Sequence, residues 1–161
     1  MGFFANPSPF SDSAAGLEQL SIERVKSALD RVEINYTIDD DGDLGAGWEL
    51  GVIYFLIRGN QNEIFHVQGF WRAQVEANQR SEAVEFCNEW NSSRLWPRTL
   101  ARVGADGLVR METDLIMDYE DGLTDSQLDR HILSAVSSML GFFEALIQRF
   151  PEAWQQALGD N

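Results

Sequence analysis

From Ser21 onward the apolar side chains fall at helical spacing. Ile22, Val25, Ala28, Leu29 and Val32 share one face, and Ser21 stands where its hydroxyl can cap the free amides. This predicts a helix that ends between Arg31 and Glu33. The period then changes to two: Ile34, Tyr36 and Ile38 alternate with polar neighbours, the signature of a half-buried strand. After an acidic turn, Trp48 to Arg58 (WELGVIYFLIR) is apolar on both faces. It is either a central strand covered above and below or one covered on one face by a second subunit. Asn60 to Asn62 mark another turn, and Glu63 to about Ala73 gives a third strand, so the three form an antiparallel meander.

Ser81 is placed to cap a second helix through about Ser93, with Ala83, Val84, Phe86, Cys87 and Trp90 on its apolar side, and Pro97 bars its continuation. Thr99 to Val103 and Leu108 to Tyr119 flank Ala105-Asp106-Gly107 and read as a hairpin. In its second strand Val109, Met111, Leu115, Met117 and Tyr119 face one way, while Arg110, Glu112, Asp114 and Asp118 face water. Thr124 and Gln127 form a capping box that opens a long helix, with a continuous apolar stripe from Leu128 to Phe150. Pro151 ends it and starts a short last helix through Leu158. The expected fold is α+β, an antiparallel sheet packed against helices in the order α-βββ-α-ββ-α. Residues 1–18 read as a flexible N-terminal tail and residues 19–158 as a single domain.

A chain of 161 residues with 44% hydrophobic content is long enough to bury one substantial core. With 26 acidic against 12 basic residues the formal charge is -14, which repels phosphate backbones and anionic lipid. Nucleic acid and membrane are therefore not expected partners, and a basic protein partner is. The single cysteine, Cys87, cannot form an internal disulfide, and no uninterrupted apolar run approaches the length of a membrane span, so a cytoplasmic location is expected.

The acidic turn, IDDDGDLGAGWELG from Ile38, raises calcium first. An EF-hand loop with Gly42 at its sixth position would place Thr37 first and Trp48 twelfth, where oxygen ligands are required. The aspartates instead suit a solvated hairpin turn, with a weak adventitious cation site as the lesser alternative, and no dedicated metal or cofactor site is expected. The glycines from Gly45 to Gly51 either permit a bulge at the start of the central strand or leave room for an approach to Trp48. Cys87 lies on the apolar side of its helix, the usual place of an inert core thiol, and two lone histidines, His66 and His131, among many carboxylates do not make a zinc site. No catalytic residues are assigned. Two features point to interaction. The long helix carries small residues Ser134, Ser138, Gly141 and Ala145, which serve either internal packing or a subunit contact. Trp48, Trp71, Trp90 and Trp96 serve either core filling or, where exposed, a partner surface.

The segments LSIERVKSALD, INYTIDDDGDL, FCNEWNSSRLWPR, DYEDGLT and SQLDRHILSAVSSMLGFFEALIQRFPEA, in that order, resemble the YbjN family of bacterial proteins, known as sensory transduction regulators. The resemblance covers about Leu20 to Ala153. It implies a fold similar to type III secretion chaperones, frequently dimeric, and it brings no catalytic residues. The expected function is a non-enzymatic protein-interaction module, chaperone-like or regulatory, binding a protein partner through its sheet or helix surface and forming a homodimer. Its expected contact residues are Trp48, Trp71, Trp90, Trp96, Ser138 and Gly141. The alternative is a small-molecule or metal-responsive sensor with a pocket between the sheet and the long helix.

Overall fold

The computed structural model describes residues 16–159. Most of the expected tail lies outside the described residues, and at its inner end Glu18 forms an antiparallel bridge with Leu123. Helix α1 (Ile22–Arg31) is capped by the Ser21 hydroxyl, which accepts a 3.3 Å hydrogen bond from the Arg24 amide. It ends in a Schellman motif: Glu33 takes a left-handed φ of 58°, and the Ile34 amide donates to the Leu29 carbonyl at 2.9 Å. Ile34 is thereby spent on closing the helix. The first strand, β1, is only Thr37–Ile38.

The remaining elements are β2 (Leu44–Trp48), β3 (Gly51–Arg58), β4 (Ile64–Val75), a 3-10 turn (Ala77–Gln79), α2 (Arg80–Ser93), β5 (Arg98–Val103), β6 (Val109–Asp118), α3 (Asp125–Arg149) and α4 (Pro151–Gly159). The strands form one antiparallel sheet in the order β1-β2-β3-β4-β6-β5. The α+β class is as expected. The meander, however, has four strands where three were expected, because Leu44–Trp48 is a strand of its own, joined to β3 by a tight turn that pairs Trp48 with Gly51. Its alternation is concealed by Gly45 and Gly47, which have no side chain to reveal the outer face, while Leu44 and Ala46 are buried on the inner one. Of the two readings of the Gly45–Gly51 stretch, the bulge does not describe it, since β2 and β3 pair in regular register and the ring of Tyr54 packs over Gly45; Gly47, by contrast, leaves open space beside Trp48.

The helices pack on one face of the sheet. α3 is set close because Gly69 leaves room: a Cβ there would stand 2.6 Å from the Thr113 Oγ1 and 3.1 Å from the Phe143 ring. One core cluster joins α1 and the first half of α3 to Leu44, Ile53, Phe55, Phe65 and Val67. A second joins α2, α4 and the rest of α3 to Trp71, Val75, Val109 and Met111. α3 is the one described helix long and apolar enough to cross a membrane by length and composition, and here its apolar stripe lies against the sheet. The Thr124–Gln127 capping box is formed in both directions.

Two expectations change. α2 begins at Arg80, led in by the 3-10 turn, with no side-chain cap at its start, so Ser81 lies inside it. The polar face of β6 is not wet throughout. Arg98 reaches across from β5 to Asp114 at 2.8 Å and Arg102 to Glu112 at 2.6 Å, so both carboxylates lie buried under arginines. For β3, helices cover the side of Ile53 and Phe55, whereas Val52 and Tyr54 meet neighbours on the sheet, with Tyr54 edge-on to Phe70 at 6.0 Å.

Candidate functional site

The strand register creates an uncovered place. β5 starts at Arg98, opposite Asp114, and Pro97 precedes it with no amide to extend the ladder. β6 runs on to Asp118, paired with β4 alone. The Tyr119 amide donates inward to the Glu63 carbonyl at 2.8 Å. By the alternation of an antiparallel ladder, the Ile116 amide and carbonyl therefore point outward, away from β4. Beside this free edge lies the link from α2 to β5, where Leu95 is 89% exposed and Trp96 50%, and on β6 itself Ile116 is 47% and Met117 40% exposed. Four large apolar side chains at an unpaired strand edge are unusual on a soluble surface.

Trp96 separates two hollows. On one side a shallow depression of about 290 Å³ is bounded by Leu95, Arg98, Asp114 and Ile116. On the other a cleft of about 390 Å³ opens between the end of β6 and α3. Leu115, Met117 and Tyr119 form its sheet wall; Gln127, Arg130, His131 and Ser134 form its helix wall. His131 is only 7% exposed. Its Nδ1 shares a 2.9 Å hydrogen bond with the Tyr119 hydroxyl, its ring lies nearly perpendicular to Phe65 with centroids 4.9 Å apart, and its Nε2 has no partner among the described residues. Burial pushes its pKa down to about 4, so the imidazole is neutral near pH 7. Burial also raises the Tyr119 phenol. The pair is a neutral, hydrogen-bonded group at the edge of an apolar cleft.

The residues singled out in the sequence are not brought together. Trp71 is 5% exposed and stacks on Trp154 at 6.3 Å, which makes it part of the core and removes it as a contact residue. Trp90 is half-buried, edge-on to Phe142 at 5.0 Å with the Arg94 guanidinium 4.3 Å over its ring. Trp48 is half-buried against the first core cluster, next to a small hollow with Asn35 and Gly47. Trp96 alone among the four is exposed. On α3, Ser138 bonds back to the Ala135 carbonyl at 3.1 Å, and a Cβ on Gly141 would meet nothing within 4 Å. That face has room for a neighbour and carries none of the cleft except Ser134.

Cys87 is buried, its thiol pushed up by burial, and its carbonyl accepts from the Thr99 hydroxyl at 3.2 Å. His66 lies on the helix-free face, its pKa lowered chiefly by burial, with Asp114 opposing and Arg58 and Arg98 adding to the effect. In the acidic turn the Asp39 carboxylate accepts from the Asp41 and Asp43 amides at 3.0 and 2.9 Å, and Gly42 takes a left-handed φ of 85°. Among the described residues no three His, Cys, Asp or Glu side chains group as a metal site.

Sequence reading missed Leu95, Ile116, Met117, Arg130 and the Tyr119–His131 pair. One signal was present: Leu115-Ile116-Met117 is a run of three apolar residues in a strand that otherwise alternates, and Ile116 breaks the polar side.

No curated protein matches the sequence. Among solved structures the fold is similar to that in "Crystal structure of YbjN, a putative transcription regulator from E. coli", with a TM-score of 0.72 and 11% sequence identity, over 83% of this chain and 96% of that one. The sequence itself matches the YbjN family, described as "Putative bacterial sensory transduction regulator", over residues 21–148. That match spans α1 through nearly all of α3, and so the chain belongs to the YbjN family.

Proposed function

We propose that this protein is a non-enzymatic regulatory module that holds an extended segment of a partner protein along the free edge of β6. The observation that carries the reading is the coincidence of an outward Ile116 backbone with the exposed side chains of Leu95, Trp96, Ile116 and Met117. An added strand would gain main-chain hydrogen bonds from the edge and specificity from the hollows on either side of Trp96. In this sense the protein acts as a chaperone-like holder.

The charge of -14 favours a basic segment and opposes a phosphate backbone, so regulation by the YbjN fold proceeds here through protein contact in the cytoplasm. Self-association is a separate matter of the helix-free face, where Val52, Tyr54 and Phe70 lie side by side without a covering helix. A second copy placed there forms the homodimer.

The test uses a peptide of about ten residues alternating isoleucine with lysine, long enough to pair along one strand edge. Titration should give saturable binding, and hydrogen exchange should slow at the Ile116 amide. A Trp96→Ala, Ile116→Lys double variant should lose the binding and keep its fold. Equal binding by that variant, or binding with no protection at Ile116, would overturn the reading. Light scattering of Tyr54→Arg beside the wild type tests the dimer: a wild type of monomer mass removes it.

A further inference from the structure

We propose that the cleft between β6 and α3 is a binding site for a small aromatic carboxylate. The site shares Trp96 and Met117 with the docking surface but adds Arg130 and Ser134 of α3, which the strand edge does not use, so the two readings fail separately. Two observations carry it. The first is shape and chemistry: Trp96, Leu115 and Met117 supply an apolar wall of about the right extent for one ring, in a cleft of about 390 Å³. A thioether beside an aromatic pocket favours an aromatic guest.

The second is charge. Arg130 lines the cleft, no carboxylate does, and among the described residues Arg130 makes no ion pair. By contrast, on the same helix Asp125 and Asp129 are occupied by Arg24 and Arg31 from α1. In a protein of net charge -14, an arginine left unpaired at the mouth of an apolar cleft is a fork suited to one carboxylate. The Ser134 hydroxyl, one helical turn further on, stands on the same wall as a second donor.

The guest is therefore a ring with a short carboxylate arm, lying with its carboxylate at Arg130 and its ring between Trp96 and Met117.

The test compares 4-hydroxyphenylacetate, phenylacetate and phenylacetamide by calorimetry and by quenching of Trp96 fluorescence, with Trp96→Phe to isolate that signal. Both acids should bind saturably. The neutral amide should be at least about tenfold weaker, the usual value of one charge-assisted bond. Arg130→Gln, an exposed position that leaves the fold intact, should weaken the two acids about tenfold or more and leave the amide unchanged. Equal binding of acid and amide, an Arg130→Gln protein that binds the acids as the wild type does, or no binding of either acid at millimolar concentration would each overturn the site.

Discussion

His131 gives the sharpest test of the packing around the cleft. Folding moves it from water, where an imidazole titrates near 6.5, to a site where burial holds it at about 4. Protonation is then disfavoured in the native state, because the buried site does not solvate an imidazolium as water does and Nε2 has no acceptor among the described residues. The sign follows from linkage: at neutral pH both states are neutral and nothing is lost. As the pH falls through about 6.5 the unfolded chain takes up a proton that the native chain refuses, so stability declines until the native histidine also titrates near 4. At about 1.36 kcal/mol for each pH unit between the two titrations, the full loss is roughly 3 kcal/mol.

The assay is urea unfolding of the wild type and of His131→Gln, which keeps a polar side chain opposite Tyr119, at a series of pH values from neutral to below 4. Carboxylates and His66 titrate in both proteins and cancel in the difference. The wild-type curve should drop roughly 3 kcal/mol further than the variant's between about pH 6.5 and 4 and run parallel to it outside that window. A difference that stays flat within about 0.5 kcal/mol would refute the burial argument for this histidine, since the folded and unfolded chains would then titrate at nearly the same pH.

Three further outcomes follow from particular contacts. Gly69→Ala should lower stability by about 1–3 kcal/mol, because its Cβ meets Thr113, Phe143 and Met139, read as a drop in the urea midpoint. Arg98→Met should cost about 1–3 kcal/mol by leaving the buried Asp114 carboxylate unpaired, whereas Arg149→Met, at a pair exposed on both sides, should change stability by less than about 1 kcal/mol. Thr124→Ala removes the α3 cap and should cost about 1 kcal/mol, with faster hydrogen exchange confined to the first turn of that helix.

Periodicity carried much of the fold into view from the sequence. α1, α3 and their caps follow from the spacing of apolar residues and from Ser21, Thr124 and Gln127, because a helix terminus is satisfied by groups within four residues of it. The β5–β6 hairpin follows in the same local way. The strand Leu44–Trp48 was not legible, since Gly45 and Gly47 leave one of its faces blank, and neither was the short β1, since Ile34 was claimed by the end of α1. The burial of Glu112 and Asp114 was hidden too. It depends on arginines from another strand, and their pairing is set by register, not by nearby sequence.

The candidate surface belongs to the tertiary structure almost entirely. The sequence by itself determined an acidic, single-sheet α+β chain of the YbjN family with an apolar core helix, because composition and period are properties of neighbouring residues. Only the packed structure decided that Trp71 is core while Trp96 is exposed. It alone decided that β6 outruns β5 by four residues, Leu115 to Asp118, and that Tyr119 and His131 meet beside Arg130. Each of these is a relation between segments distant along the chain, fixed by where one strand stops against another and by which helix closes over the remainder.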